Sequence, residues 1–218
     1  MPHVPHPRRR LLLGVVALLG FGTLAASSAL ADIYDDAVAH PGRSADDLKR
    51  DPIDRPADML RLAGLKPGMQ VADFMAADGY YSELASYIVG PKGHVLLLNN
   101  ATWDYWSGNH WKERIAGRLP NVEHRTIDAE HVDVADHSQD AVLLIDHSAK
   151  PGTGTADATS LHRIDEAYTR AEFEKHGLRL VSSSDLLRRA DDPRDAISYK
   201  GPMVGKTDRF VLVFRRNK

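Results

Sequence analysis

The stretch "VADFMAADGYYSELA", residues 71–85, decides the fold. An apolar strand ends in Asp73, a short turn follows, and a helix opens at about Tyr80. Strand, turn and helix in that order, with an acid closing the strand, is the layout of α/β folds that hold a nucleotide. There the turn is rich in glycine, so that backbone can approach the ligand closely. Here Met75, Ala76, Ala77 and Asp78 stand where two or three glycines are usual, and Gly79 alone remains. The stretch therefore predicts the scaffold and leaves open whether the site on it is still in use.

Working outward, the same alternation continues on both sides. Pro56 suits the first turn of a helix whose Met59, Leu60, Leu62 and Ala63 form an apolar stripe, and Lys66-Pro67-Gly68 stops it. Downstream, Gly90-Pro91-Lys92-Gly93 turns the chain into a second buried strand, "HVLLLNN". Trp103, Trp106 and Trp111 follow within nine residues; they are read as core packing of helix on sheet, with an aromatic lid over a ligand as the alternative. "NVEHRTID" and "DAVLLID" are strands, "EAYTRAEFEKHG" is a helix, and "LRLVSSS" and "DRFVLVFRR" close the chain as strands. Strands alternating with helices predict a mostly parallel sheet with an antiparallel last strand. Only one apolar strand lies between "NVEHRTID" and the helix at 165–176, so one βα unit of a seven-stranded sheet is missing and six strands remain. "DAVLLID", apolar on both faces, is expected as the central parallel strand beside residues 71–74.

The N-terminus is a separate segment. "RRRLLLGVVALLGFGTLAASSALA" has a basic start, an apolar middle and Ala29-Leu30-Ala31 at its end, the pattern of a secretory signal peptide cleaved after Ala31. Arg8-Arg9-Arg10-Leu11-Leu12 also fits a twin-arginine layout. Residues 1–31 are thus read as a leader, 32–54 as a polar N-terminal arm, and 55–218 as the α/β domain of a periplasmic or secreted protein with no stable membrane anchor after cleavage. Of 28 basic and 30 acidic residues, the leader takes three arginines and no acid, which moves the net charge from −2 to −5. A mildly acidic body has no electrostatic footprint for nucleic acid. The absence of cysteine excludes disulfides and thiolate metal sites.

On "LKPGMQVADFMAADGYYSELASYIVGPKGHVLLLNN", "DHSAKPGTGTADATSLHRID", "AEFEKHGLRLVSSSDLLRRADDPRD" and "TDRFVLVF" the chain resembles the class I S-adenosylmethionine-dependent methyltransferases, and more narrowly an exported bacterial branch of them. The resemblance implies a Rossmann-type three-layer sandwich, S-adenosyl-L-methionine as cofactor, and methyl transfer to a small-molecule acceptor. It implies cofactor contacts from Asp73, Ala77, Gly79 and Tyr80 at the turn, from Asn99 or Asn100 at the ribose, and from Asp128 near the adenine. This chain departs from that family in the glycines replaced by Ala77 and Asp78. It also departs in the missing βα unit, where "ADHSQDAVLLIDHSA" runs straight across.

Three further readings concern the second half. His147 and His162 are candidate bases for a protonated acceptor, and bracing of the loop, with Arg163 paired to an acid, is the alternative. Asp146, His147 and His162 could instead serve a metal-assisted hydrolase. A non-catalytic binding or structural protein on the same scaffold is the third. "GPMVGKT", residues 201–207, resembles a phosphate loop but is one residue short and precedes a strand, so it is rejected.

Overall fold

The computed structural model describes residues 33–128 and 141–216. The leader and the residues between Asp128 and Ala141 lie outside them, so the expected cleavage site does too. Among the described residues no helix is long and apolar enough to cross a membrane.

The first half is a parallel sheet. Strands β1 (Gln70–Phe74), β2 (His94–Asn99) and β3 (Val122–Thr126) pair in the order β1-β2-β3. Their registers set Phe74 opposite Leu98 and Asn99 opposite Thr126. The carboxyl ends of all three strands therefore share one edge, and Asp73, Asn99 and Asp128 lie along it. The arm is helical at residues 33–38 and again in α1 (Ala45–Asp54), which Ser44 caps by accepting from the Asp47 N–H at 3.1 Å. Helix α2 (Pro56–Ala63) starts on its proline, as expected, and ends on left-handed Gly64, two residues before the expected stop at Lys66-Pro67-Gly68. Helix α3 (Tyr80–Val89) covers the parallel sheet with Tyr80, Leu84, Ile88 and Val89 against Val95 and Leu97. Two short helices, α4 (Ala101–Trp106) and α5 (Trp111–Ile115), link β2 to β3.

The second half is antiparallel. Strand β4 (Ala141–His147) pairs along its whole length with β6 (Arg209–Arg216), and β6 pairs on its other side with β5 (Leu178–Ser184). Helices α6 (Ala158–Leu161) and α7 (Glu166–Lys175) come between β4 and β5. Phe173 of α7 stacks on Phe214 of β6 at 4.7 Å.

All six predicted strands are present, and the last is antiparallel as predicted, but the expected position of "DAVLLID" is overturned. β4 lies at the edge of the sheet β4-β6-β5, and its hydrogen-bonded neighbour is β6, not β1. Among the described residues the fold is two three-stranded sheets. Among the described residues no strand pairs with both halves, and side chains join them. Met59 and Leu62 of α2 and Tyr81 of α3 pack against Leu143 and Ile145 of β4, and Leu143 also reaches the core of the first sheet.

Candidate functional site

The turn after β1 keeps the path of a glycine-rich turn without the glycines. Met75 (φ 57°), Ala77 (φ 54°) and Gly79 (φ 87°) are all left-handed. For a residue with a Cβ that conformation costs about 1–2 kcal/mol. It persists only where the surroundings hold it. Two side chains do so here. Asn99, fully buried at the end of β2, accepts from the Ala77 N–H and donates to the Ala77 carbonyl, each at 2.8 Å. Arg114 of α5 donates to the Asp78 carbonyl at 2.7 Å and to its carboxylate at 2.9 Å. Gly79 has no room for a side chain: a Cβ there would lie 2.7 Å from Leu97 Cδ1.

The sequence-predicted cofactor residues gather at this place, though several have partners within the chain. Asp73 accepts from Ser82 Oγ at 2.7 Å, and burial pushes its carboxyl up to about 6. The Tyr80 hydroxyl donates to Asp51 of α1 at 2.7 Å; burial, followed by that carboxylate, raises it far above the usual phenol range. Asn100 caps α4 by accepting from the Trp103 N–H at 2.8 Å. Asn99 and Asn100, predicted at the ribose, are thus both engaged by the backbone. Asp128 is exposed just past β3, on the same edge. Asp78, in place of a family glycine, faces Arg114.

Beneath the turn runs a second network. Asp104, buried, accepts from Asn99 at 2.9 Å, His124 Nε2 at 2.9 Å and Thr126 at 2.8 Å. Burial raises its carboxyl, but those hydrogen bonds outweigh burial and hold it below the ordinary range. His124 stacks on Trp111 at 3.5 Å. Of the tryptophans, Trp111 packs against the core as expected, Trp103 is half-buried and Trp106 is 72% exposed; the indole N–H groups of Trp103 and Trp111 have no partner among the described residues.

The candidate bases belong to the second half of the chain, at the end of β4 and after α6. His147, at the end of β4 opposite Arg209, hydrogen-bonds Thr207 at 2.7 Å. Burial, with Arg209 and Arg163 nearby, depresses its pKa to about 4, far from the match to neutral pH that a general base needs. The strand that carries it pairs with β6 and not with β1. His162 is an exposed, left-handed residue at the end of α6, in edge contact with Tyr199.

The loop between them is braced, as the alternative reading had it. Arg163 is buried and spans Asp192 with two hydrogen bonds, 2.8 and 3.1 Å, while bonding the carbonyls of Ser148 and Ala196. Asp165 caps α7 and accepts from Gly152 N–H at 2.6 Å. A cleft of about 270 Å³ lies beside this loop, between Ser148 and Arg194. Asp146, His147 and His162 do not form a metal site: among the described residues no group of three His, Asp or Glu could hold an ion.

No protein-family model and no curated protein matches the chain. Solved structures do. The fold is similar to that of a SAM-dependent methyltransferase from Aquifex aeolicus, at 18% identity and TM-score 0.56, covering 77% of this chain and 93% of that one. It is similar also to a Galdieria sulphuraria protein assigned as a sarcosine dimethylglycine methyltransferase, at 13% identity and TM-score 0.51, covering 75% and 84%. The α/β architecture is therefore a methyltransferase-type Rossmann-like fold.

Proposed function

We propose that the protein is an S-adenosylmethionine-dependent methyltransferase acting on a small-molecule acceptor. The observation that carries this reading is the turn at 75–79. A chain under no demand to keep a left-handed Met75 and Ala77 would relax them, yet Asn99 and Arg114 hold both sides of the turn in place. The residues present fit the cofactor in backbone path and in polarity. The turn and Asp73 would hold its amino-acid end, and Asp128 its adenine. The bound group would supply an electrophilic methyl on sulfonium sulfur. The chain's part is then to position the acceptor in line and exclude water, which for this displacement is most of the catalysis. The SAM-dependence of the Aquifex protein, whose fold this chain shares, supports the reading.

The net acidic charge makes a nucleic-acid acceptor a poor match and favours a small one. The leader places the protein outside the cytoplasm. N-terminal sequencing of the exported form is expected to begin Asp32-Ile33-Tyr34; a membrane-bound species beginning at Met1 would contradict export by cleavage.

Calorimetric titration of the full chain with S-adenosylhomocysteine is the direct test. Saturable heat that Asp73→Ala weakens is expected. A silent titration of a protein that is folded by circular dichroism would sink the assignment.

A further inference from the structure

Arg114 is saturated. A guanidinium has five N–H donors, and here each has an acceptor. Nε serves the Asp78 carbonyl. Nη1 is shared by Asp47 at 2.6 Å and Glu83 at 2.5 Å, and Nη2 by Asp78 at 2.9 Å and Asp47 at 3.2 Å. Of the three carboxylates, only Asp47 is gripped in the two-pronged manner typical of a guanidinium binding a carboxylate ligand. Asp78 belongs to the turn itself and Glu83 to the first turn of α3, so both are fixed parts of the scaffold. Asp47 belongs to the arm.

The arm is laid on the turn by one face of α1. Asp47, Asp51 and Asp54 recur at helical spacing and point the same way. Asp51 takes the Tyr80 hydroxyl and the Arg43 guanidinium. Asp54 takes Arg209 of β6 at 2.5 Å, and the Ile53 carbonyl takes the same arginine at 2.8 Å. The C-terminal end of α1 is thus anchored to the second sheet, and its N-terminal end closes on Arg114. Burial raises the Asp47 carboxyl, but the bonds and charge of Arg114 outweigh it and keep it ionised.

We propose that Asp47 is an internal stand-in for a ligand carboxylate: the α-carboxylate of an amino-acid-bearing ligand at the turn docks on Arg114 by displacing Asp47, and α1 is a strap that opens at its first turn to admit it. This rests on the cofactor reading above. A ligand carboxylate added without displacement would find no free donor on Arg114 and would bring a fourth negative group to Asp47, Asp78 and Glu83. Exchange of one carboxylate for another keeps both the donors and the charge in balance. The chain thereby competes with its own ligand, and affinity is set by how firmly the arm is held.

The test compares two probes on the full chain: S-adenosylhomocysteine, which carries the amino-acid carboxylate, and 5′-methylthioadenosine, which has the same nucleoside and thioether without it. Asp47→Asn leaves the shape of the strap but removes its charge. It is expected to tighten S-adenosylhomocysteine roughly tenfold, the scale of one charge-assisted contact, and to leave methylthioadenosine unchanged. Arg114→Gln, which also loosens the turn, should weaken S-adenosylhomocysteine by a larger factor than methylthioadenosine. In the unaltered protein, S-adenosylhomocysteine should speed amide hydrogen exchange at residues 45–49, and methylthioadenosine should not. Equal effects of Asp47→Asn on both probes, or exchange at 45–49 that slows with S-adenosylhomocysteine, would overturn the strap while leaving the cofactor reading intact. Binding of neither probe to any variant would remove both.

Discussion

Asn99 and Ala77 exchange two hydrogen bonds of 2.8 Å, amide side chain to backbone in both directions, across 22 residues of sequence. The pair is the hinge pin of the site: it fixes a left-handed alanine against the buried end of β2 and passes a third bond on to Asp104. Asn99→Ala would leave the Ala77 amide and carbonyl without partners. A loss of about 2–4 kcal/mol in urea unfolding is expected. A loss under about 0.5 kcal/mol would show that the turn holds itself.

Glycine should help at one position of the turn and harm at the next. Ala77→Gly removes the left-handed penalty and gives back part of the gain as chain entropy, for a net stabilisation of about 0.5–1 kcal/mol. Asp78 is not left-handed and its carboxylate holds Arg114, so Asp78→Gly is expected to destabilise. Urea midpoints of the two single variants should move in opposite directions. Movement in the same direction would contradict the assignment of roles.

The pH profile should carry the mark of Asp73. Its carboxyl titrates near 6 in the folded protein against 3.8 for an unperturbed aspartate. A raised folded value contributes stability that is fully present below the unfolded value and is lost as pH rises through the folded one. Stability should therefore fall between about pH 4 and 6, by about 1–3 kcal/mol. Asp73→Asn, which can still accept from Ser82, should flatten that slope and be more stable than the parent at pH 7. Parallel profiles for parent and variant would refute it.

Arg163 and Asp192 are both buried, and Asp192 also accepts from the backbone of Arg194 and Asp208. Arg163→Ala strands that carboxylate and is expected to cost about 3–5 kcal/mol. Arg163→Lys should recover only part of it, since an ammonium cannot span two oxygens and two carbonyls at once. A melting curve for Arg163→Ala that matches the parent would show the bracing to be incidental.

Much of the fold was legible because its signals are local. Apolar runs near glycine and proline marked most strands, and Pro56 marked the start of α2. The sheet division was half legible: one strand too few could be counted, but which neighbour β4 would choose depends on pairing with residues 62 to 74 positions later. The site was harder. Nothing near Ala77 in the sequence signals Asn99, and nothing near Asp78 signals Arg114, 36 residues on. Nor does anything near His124 signal Asp104 and Trp111, its partners from a different segment. The acids of the arm were read as polar surface, although Asp47, Asp51 and Asp54 share a helical face.

The split sheet also bears on how the chain assembles. Strands β1–β3 are drawn from residues 70–126 and β4–β6 from 141–216, so each ladder is completed within its own half of the chain. In a continuous doubly wound sheet the halves share a central ladder and fold as one cooperative block. Here the halves meet through side chains and the acidic face of α1. The parallel half can therefore close during synthesis before the antiparallel half has left the ribosome. Once both are made, native-state exchange should resolve two cooperative units with separate opening energies. The seam between them is where the molecule yields first.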